Sequence, residues 1–280
     1  MFGLKRSSEE VFVVENVVFA TTQDLGRYGY RALGVPISGA MDRLSAVYAN
    51  VLVGNDVNEA VIEVYGSITL RALNDAIISI TGADVPCRIN NVEVEINRAI
   101  WVSKGDVIEI LQPRRGNFVY IGITGGIDVP EILGSKSTYI RARFGGYEGR
   151  QLKQGDVISA KKVKDLDDIW QKVCTLRIPK FIKMRIPRPD QVIRVRVTEA
   201  PHTDLMSPED KEIFTSNIYV VSTESDRMGY RLSGPKLMSL AKAGRLPSIA
   251  VERGYVQVPP GGEPIILMSD AQTTGGYAVI

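Results

Sequence analysis

The fold class is decided by residues 60–83, AVIEVYGSITLRALNDAIISITGA. This stretch contains three short runs rich in Val, Ile and Thr that are bounded by Gly, Asn or Asp, which is typical of β-strands joined by turns. Runs of the same kind occur on both sides of it, in VFVVENVVFATT, RAIWVSKGDVIEIL and NFVYIGITGG. The first 160 residues are therefore predicted to be mainly β.

Only a few segments have helical periodicity. MDRLSAVYANVLVGN is predicted to be a helix capped by Asp42, with apolar residues at helical spacing, namely Leu44, Val47, Tyr48 and Val51. In SPEDKEIF, Ser207 is a predicted cap, Pro208 opens the helix and Asp210 completes a capping box. GPKLMSLAKAG is predicted to be a further short helix, opened by its proline and closed by its last glycine.

The pattern of short strands lapses in the middle of the chain. Prolines are frequent there, and KKVKDLDDIWQKV alternates its charges as a solvated linker or a surface helix does. Strands are predicted to resume with VIRVRVTEA, and YVQVPPGGEPIILMSD is predicted to be a hairpin. We therefore predict a first β-barrel subdomain at residues 9–160, a linker at 161–191 and a second β-barrel subdomain at 192–280.

Composition excludes several classes of protein. The net charge of +2 comes from interspersed acids and bases, so no basic stripe for nucleic acid is present. No apolar run is long enough to span a membrane, and the N-terminus is charged where a signal peptide would be apolar. Two cysteines fit a reducing compartment, and one histidine leaves no basis for a metal site. A soluble, cytoplasmic protein without a metal is expected.

Two basic, glycine-hinged phrases echo each other. QDLGRYGYRALG at residues 23–34 and SDRMGYRLSG at residues 225–234 share Gly-Tyr-Arg and a later glycine. Two related β-barrels, each with one such loop, would explain the echo. We therefore predict that the loops of Arg31 and Arg231 converge on one anion.

The first phrase begins a glycine-rich stretch that ends at Asn55. Its glycine density indicates backbone at positive φ or in close contact with a ligand, and the free N–H groups at the helix start, near Ala40–Arg43, suit an anionic carboxylate or phosphate. Its candidate site residues are Arg27, Ser38, Asp42, Asn50 and Asn55. The alternative is a long folded loop whose polar residues satisfy its own backbone.

The later phrases supply further candidates. SDRMGYRLSG contains Asp226, Arg227 and Arg231, and arginine binds carboxylate or phosphate bidentately. SDAQTTGGY follows an apolar strand and presents Asp270, Gln272 and Thr273 at the strand end. A structural Asp–Arg pair that ties loops together is the alternative. GSKST lacks the spacing of a P-loop, but a backbone-amide nest for another anion stays open.

The segments quoted above, in their order along the chain, resemble those of one family. This family is allophanate hydrolase subunit 2, also called the C subunit of 5-oxoprolinase or the biotin-dependent carboxyltransferase-domain family. The matching phrases span residues 11–277 and are QDLGRYGYRALGVPISGAMD, ANVLVGN, IEVYGSITL, TGAD, GGIDVPEILGSKST, SDRMGYRLSG and IILMSDAQTTGGY. The resemblance implies two cyclophilin-like β-barrel subdomains with a few short helices. Family members continue past TTGGY with a further strand, whereas this chain ends at Ile280, which leaves two alternatives: the sequence is cut short and the second subdomain lacks its closing strand, or the closing strand comes from elsewhere.

The resemblance also implies a function. Many members open 5-oxo-L-proline to L-glutamate with ATP, together with the A and B subunits of 5-oxoprolinase, so the chain is expected to be an ATP-dependent hydrolase subunit whose ATP site is not assigned. Two alternatives come from other members: the carboxyltransferase component of a urea carboxylase-like enzyme, and a regulatory protein that binds a kinase-inhibitor-like partner. Biotin is not expected on this chain, because FIKMRIP has Ile182 where a biotin-accepting Met-Lys-Met would have methionine before Lys183.

Roles for the candidate residues follow from the chemistry of lactam opening. The amide oxygen needs activation, and water must be delivered to the carbonyl. With histidine so scarce, a carboxylate is the expected general base, which makes Asp42, Asp226 and Asp270 the catalytic candidates. Binding of substrate or anion is expected from Arg27, Ser38, Asn50, Asn55, Arg227, Arg231, Gln272 and Thr273, with arginines neutralising carboxylate and phosphate.

Overall fold

The computed structural model describes residues 7–179, 186–188, 191–242 and 246–280. Ile182, Lys183 and Gly244, the last glycine of GPKLMSLAKAG, lie outside the described residues. By its contacts, the chain divides into two compact units. The first contains the described residues up to Gly26 and from Asp42 to Gln191, and the second contains Arg27–Met41 and Val192–Ile280. Residues 27–41 of the glycine-rich stretch therefore belong to the same unit as the end of the chain.

The first unit is built on one nine-stranded sheet. Its strands are β1 Ser8–Gln23, β2 Val61–Ala72, β3 Ala76–Asp84, β4 Cys87–Ile89, β5 Val92–Glu93, β6 Ala99–Val102, β7 Val107–Ile110, β8 Arg115–Ile123 and β9 Val157–Lys161. The sheet runs β5-β4-β7-β2-β8-β3-β6, and β1 pairs with both β2 and β9. The runs AVIEVYG and SITLRA thus form one strand.

Alternation along these strands creates the core of the first unit. Phe12, Ile62, Leu70, Ile80 and Ile121 are each fully buried in one cluster. Burying such a side chain contributes about 1.5–3 kcal/mol before entropic costs are subtracted. Three of these five residues, Ile62, Leu70 and Ile80, lie in the stretch that predicted the fold class.

Helix α1, Arg43–Leu52, begins as predicted, with the Asp42 side chain accepting a hydrogen bond from the backbone N–H of Ser45 (3.1 Å). Its buried face differs from the apolar stripe that predicted the helix. Ala46 and Ala49 are buried, whereas Leu44 and Val51 are exposed. The reason is the close approach of helix and sheet: a Cβ added at Gly122 would overlap the carbonyl oxygen of Ala49.

The charged segment after β9 is a surface helix rather than a linker without structure. Helix α2 spans Leu166–Val173, and Asp165 caps it by accepting from the N–H of Asp168 (3.0 Å). Val173 is buried, and Trp170 packs edge-on against Trp101 at 5.9 Å.

The second unit contains a five-stranded sheet in the order β10-β11-β14-β13-β16 and a two-stranded sheet, β12-β15. The strands are β10 Val220–Val221, β11 Gly229–Ser233, β12 Ile249–Ala250, β13 Val256–Val258, β14 Ile265–Leu267, β15 Thr274–Gly275 and β16 Ala278–Val279. The helices are α3, Pro208–Ser216, and α4, Met238–Lys242. The predicted hairpin is confirmed, because β13 and β14 pair antiparallel.

Three local predictions for this unit need correction. The strand predicted at VIRVRV does not form, since residues 192–197 are exposed and have no backbone hydrogen bonds among the described residues. Ser207 caps α3 as predicted, but the carboxylate of Asp210 accepts from the N–H of Ser239 (2.7 Å) and completes no capping box. Helix α4 begins at Met238 rather than beside Pro235.

The observed architecture confirms the predicted class, mainly β with a few short helices. In the described part of the chain, none of the helices has the length and apolarity that crossing a membrane requires.

Candidate functional site

The sheet of the second unit brings two predicted site residues together. Strands β11 and β14 are antiparallel neighbours, with Gly229 opposite Leu267. Arg227 precedes the first strand and Asp270 follows the second, so both lie at the same end of the sheet. The guanidinium Nε and Nη2 of Arg227 contact the two carboxylate oxygens of Asp270 at 2.8 Å and 3.0 Å. This is a bidentate ion pair, and both residues are less than a tenth exposed.

The same arginine also holds part of the glycine-rich segment. Arg227 Nη2 donates to the carbonyl oxygen of Gly39 (2.7 Å). Arg253 donates to the carbonyl oxygens of Ala40 and Met41, and the Ser269 hydroxyl donates to that of Ala40 (3.2 Å). We call residues 37–41 the ISGAM segment. Three of its consecutive carbonyl groups are thus fixed by side chains of the second unit.

Ser38 stands inside this segment and is fully buried. Its φ is +57°, in the left-handed region that side chains other than glycine rarely adopt. Among the described residues its hydroxyl has no hydrogen-bond partner. The Arg27 side chain is fully buried too, and its backbone N–H donates to the carbonyl oxygen of Ile37 (2.7 Å). Because a buried polar group without a partner is rare in a folded protein, the Ser38 hydroxyl calls for an explanation.

The two Gly-Tyr-Arg phrases are not structurally equivalent. Arg31 begins a 3-10 turn, donates to the carbonyl oxygen of Val251 and lies 3.7 Å from Glu252. Arg231 is an exposed residue of β11. Gly29-Tyr30-Arg31 and Gly229-Tyr230-Arg231 both belong to the second unit, so the echo does not mark one loop in each unit. That their loops converge on one anion stays a prediction.

The remaining candidates of this unit have local partners. Asp226 is exposed and accepts from the backbone N–H groups of Met228 (2.8 Å) and Gly229 (3.2 Å), which shapes the turn before β11. The amide of Gln272 donates to Gln257 Oε1 (2.8 Å). The carbonyl oxygen of Thr273 accepts from the N–H of Val251.

Asn50 and Asn55, in the first unit, hold a loop together. The Asn50 side chain donates to the carbonyl oxygens of Val57 and Glu59 and accepts from Asn55 (3.0 Å). Asn55 also donates to the carbonyl oxygen of Ile123 and accepts from the N–H of Gly125. All the amide groups of both side chains are engaged within the protein, so the geometry favours a structural role for both residues.

Asp42 likewise lies in the first unit, at the start of α1. While its side chain caps the helix, the backbone N–H of Asp42 donates to the hydroxyl of Tyr120 (2.6 Å). That hydroxyl in turn donates to Glu63 (2.8 Å). Complete burial, and then the negative charge of Glu63, raise the pKa of Tyr120 well above its ordinary value. Tyr120 is therefore a hydrogen-bond bridge that stays protonated.

The anion nest left open for GSKST does exist, and its anion is a side chain of the protein that the sequence did not single out. The carboxylate of Asp24 accepts from the hydroxyls of Ser135 (2.8 Å) and Ser137 and from the backbone N–H groups of Lys136 (2.6 Å) and Gly26 (2.8 Å). Asp24 is 3% exposed. The only signal in the sequence was a glycine- and serine-rich loop, which does not say where its anion comes from.

Beside this nest, Glu59 contacts two lysines, Lys136 Nζ (2.7 Å) and Lys161 Nζ. Burial raises the pKa of Glu59, but the hydrogen bonds and charges of the two lysines outweigh burial and hold its pKa below the ordinary value. No three His, Cys, Asp or Glu side chains within the described residues are placed to hold a metal ion.

A lowered pKa at Glu59 predicts a stability that depends on pH. A carboxylate with a lowered folded-state pKa stabilises the protein above its unfolded pKa, near 4.5, and this contribution is lost as pH falls through the lower folded-state pKa. We expect Glu59→Gln to cost about 1–2 kcal/mol at about pH 7 and much less at about pH 3. Urea unfolding of both proteins across that range measures the difference. A cost that does not change with pH would contradict the assignment.

Comparison with known proteins places these features in a family context. A family sequence model described as the carboxyltransferase domain, subdomain A and B, matches residues 33–280. The chain is similar to the C subunit of 5-oxoprolinase from Escherichia coli, with 34% identity over 95% of this chain and 81% of that protein. It is also similar to urea amidolyase of Saccharomyces cerevisiae, with 35% identity over 90% of this chain but only 14% of that protein.

A solved structure shows the same fold. The crystal structure of Kluyveromyces lactis urea carboxylase superimposes with a TM-score of 0.80 and 28% sequence identity. The match covers 98% of this chain and 25% of that one.

Proposed function

Because this chain belongs to the family of carboxyltransferase domains with subdomains A and B, we propose that it is one component of an ATP-dependent 5-oxoprolinase. In this proposal it opens 5-oxo-L-proline to L-glutamate together with proteins like the A and B subunits of that enzyme. The observation that carries the proposal is the match to a protein named as the C subunit of 5-oxoprolinase, over 95% of this chain and 81% of that protein.

The geometry of the second unit supports a site for an anionic substrate. Arg227 and Asp270 form a buried frame under the ISGAM segment, and Arg231 is exposed on the strand that follows Arg227. An arginine at this position would neutralise the substrate carboxylate. Since Asp270 is buried against Arg227 and Asp42 belongs to the first unit, we propose that Asp226, exposed in the turn beside Arg227, is the general base.

The structure also bears on where ATP binds. GSKST is the segment nearest in composition to a phosphate loop, and its donors already hold the carboxylate of Asp24. This loop therefore does not fit a nucleotide phosphate. We propose that ATP is bound by a partner protein.

Exposed apolar side chains support the need for a partner. Ile218, Val220 and Val221 are each more than half exposed at the edge strand β10. Val195 is 72% exposed in the unpaired VIRVRV segment. Open strand edges with apolar side chains are surfaces that other chains cover. The same observation favours the regulatory alternative, a protein that binds a kinase-inhibitor-like partner.

The carboxyltransferase alternative has its own support in the structural match to urea carboxylase. In that case a biotin carrier from another protein would deliver CO2. Since the chain spans only 14% of yeast urea amidolyase, such an activity would need several further domains.

The test is release of glutamate from 5-oxoproline and ATP by this chain, by the purified A and B subunits, and by the mixture. We expect activity in the mixture alone and a loss of at least about 100-fold with Asp226→Asn, as for removal of a general base. Lys211→Gln, on α3 with a side chain that is 43% exposed, is the matched control and should keep full activity. An assembled complex that releases no glutamate would overturn the proposal, and transfer from carboxybiotin to urea would then be measured.

A further inference from the structure

Four of the five carbonyl oxygens of the ISGAM segment accept hydrogen bonds. The carbonyl oxygens of Ile37, Gly39, Ala40 and Met41 accept from the backbone or from side chains of the second unit. The donors that fix them include the Arg227 guanidinium, which is itself locked by Asp270. The peptide planes are therefore held in one orientation, with their oxygens bound to the body of the unit.

Four donors of the segment have no acceptor among the described residues. The backbone N–H groups of Ser38, Gly39 and Ala40 have no acceptor in the part of the chain that the structure describes, and neither does the Ser38 hydroxyl. All three residues are buried. A buried donor without a partner costs about 1–3 kcal/mol, and four in consecutive residues are far above what chance leaves in a native protein.

These donors belong to a turn that has two consecutive residues at positive φ. Ser38 and Gly39 have φ values of +57° and +82°. Successive N–H groups in turn conformations form concavities that bind anions. Ser38 has to adopt a conformation that favours glycine, and here its side chain adds a fourth donor.

We propose that Ser38, Gly39 and Ala40 form an oxyanion cradle that holds an anionic oxygen at the reacting carbonyl of the substrate. This inference rests on the proposed function, because it names the substrate group that the same unit binds. When water adds to a lactam carbonyl, the electron pair of the C=O bond moves onto the oxygen and the proton of the water goes to the general base. The pair then returns to re-form the C=O bond, the C–N bond breaks, and the ring nitrogen takes the proton from the base. Donors fixed before the reaction stabilise that oxygen without reorganisation.

The experiment combines activity with direct binding. In the assembled complex, Ser38→Ala and Ser38→Gly should each lower kcat about 100- to 1000-fold with little change in KM, the usual loss for one oxyanion donor. Ser38→Gly also relaxes the left-handed backbone, so a loss shared by both variants is not due to misfolding. In nitrogen-15 NMR spectra of the chain alone, inorganic phosphate and 5-oxo-L-proline should shift the amide signals of Ser38, Gly39 and Ala40 saturably, and Ser38→Ala should weaken this binding.

The outcomes separate the cradle from the proposed function. Full activity in both Ser38 variants, or phosphate and 5-oxoproline that leave all three amides unshifted, would overturn the cradle while leaving the 5-oxoprolinase assignment standing. A complex that never releases glutamate, combined with phosphate shifts that depend on Ser38, would support the cradle and overturn the assignment. Shifts with 5-oxoproline but not phosphate would identify the lactam oxygen, rather than a phosphate, as the bound group.

Discussion

Arg227→Met is expected to destabilise the protein by about 3–5 kcal/mol, because it leaves the Asp270 carboxylate buried without its counter-charge. Asp270 is 5% exposed, and both of its oxygens contact the Arg227 guanidinium. The substitution also removes the donor that holds the carbonyl oxygen of Gly39. Urea unfolding followed by circular dichroism measures the loss.

The control for this prediction is the double variant Arg227→Met with Asp270→Asn. It removes both charges, so we expect it to be more stable than Arg227→Met alone, with a coupling of at least about 1 kcal/mol in a double-mutant cycle. Purely additive losses would show that the pair contributes no interaction of its own. Arg227→Lys should lose part of the stability that Arg227→Met loses, since lysine cannot form the bidentate contact.

Asp24→Ala should be almost as damaging, at about 3–4 kcal/mol, because the carboxylate is the shared acceptor of four donors in the first unit. Without it, the hydroxyls of Ser135 and Ser137 and two backbone N–H groups lose their acceptor in a buried site. The free energy of unfolding in urea is again the measurement.

A matched substitution tests whether burial is the cause. Asp84 also forms an ion pair, with Arg115 at 2.8 Å, but its side chain is 38% exposed. We expect Asp84→Ala to cost less than about 1 kcal/mol, as surface ion pairs do. Equal losses at Asp24 and Asp84 would contradict the explanation by buried donors.

The regular part of the fold could be predicted because its signals are local. Strands such as β3 alternate or cluster β-branched residues, and the Asp42 cap lies next to the helix that it starts. The buried face of α1 could not be predicted, since it depends on how closely the sheet approaches at Gly122. VIRVRV has the composition of a strand, but composition does not provide a neighbour to pair with.

The candidate site shows the same difference between local signals, which the sequence reveals, and contacts between distant residues, which it does not. Arg227 and Asp270 stood out because charged residues beside glycines and strand ends are visible in the sequence, and antiparallel pairing of β11 and β14 then brings them together. Asp24 was missed because the loop that binds it lies 111 residues away. Asn50 and Asn55 were selected as polar residues near glycines, although their amides are engaged by the loop itself.

The membership of Arg27–Met41 in the second unit has a consequence for how the protein is made. This unit is discontinuous, since contacts such as Arg227 to Gly39 and Arg253 to Ala40 join residues 188 and 213 positions apart. During synthesis on the ribosome, the ISGAM segment leaves the exit tunnel early and has to wait until almost the whole chain has followed. Closing so long a loop is entropically costly, and folding dominated by such distant contacts is slow. No single cut in the chain separates the two units, so expressing residues 192–280 alone would omit part of the second unit.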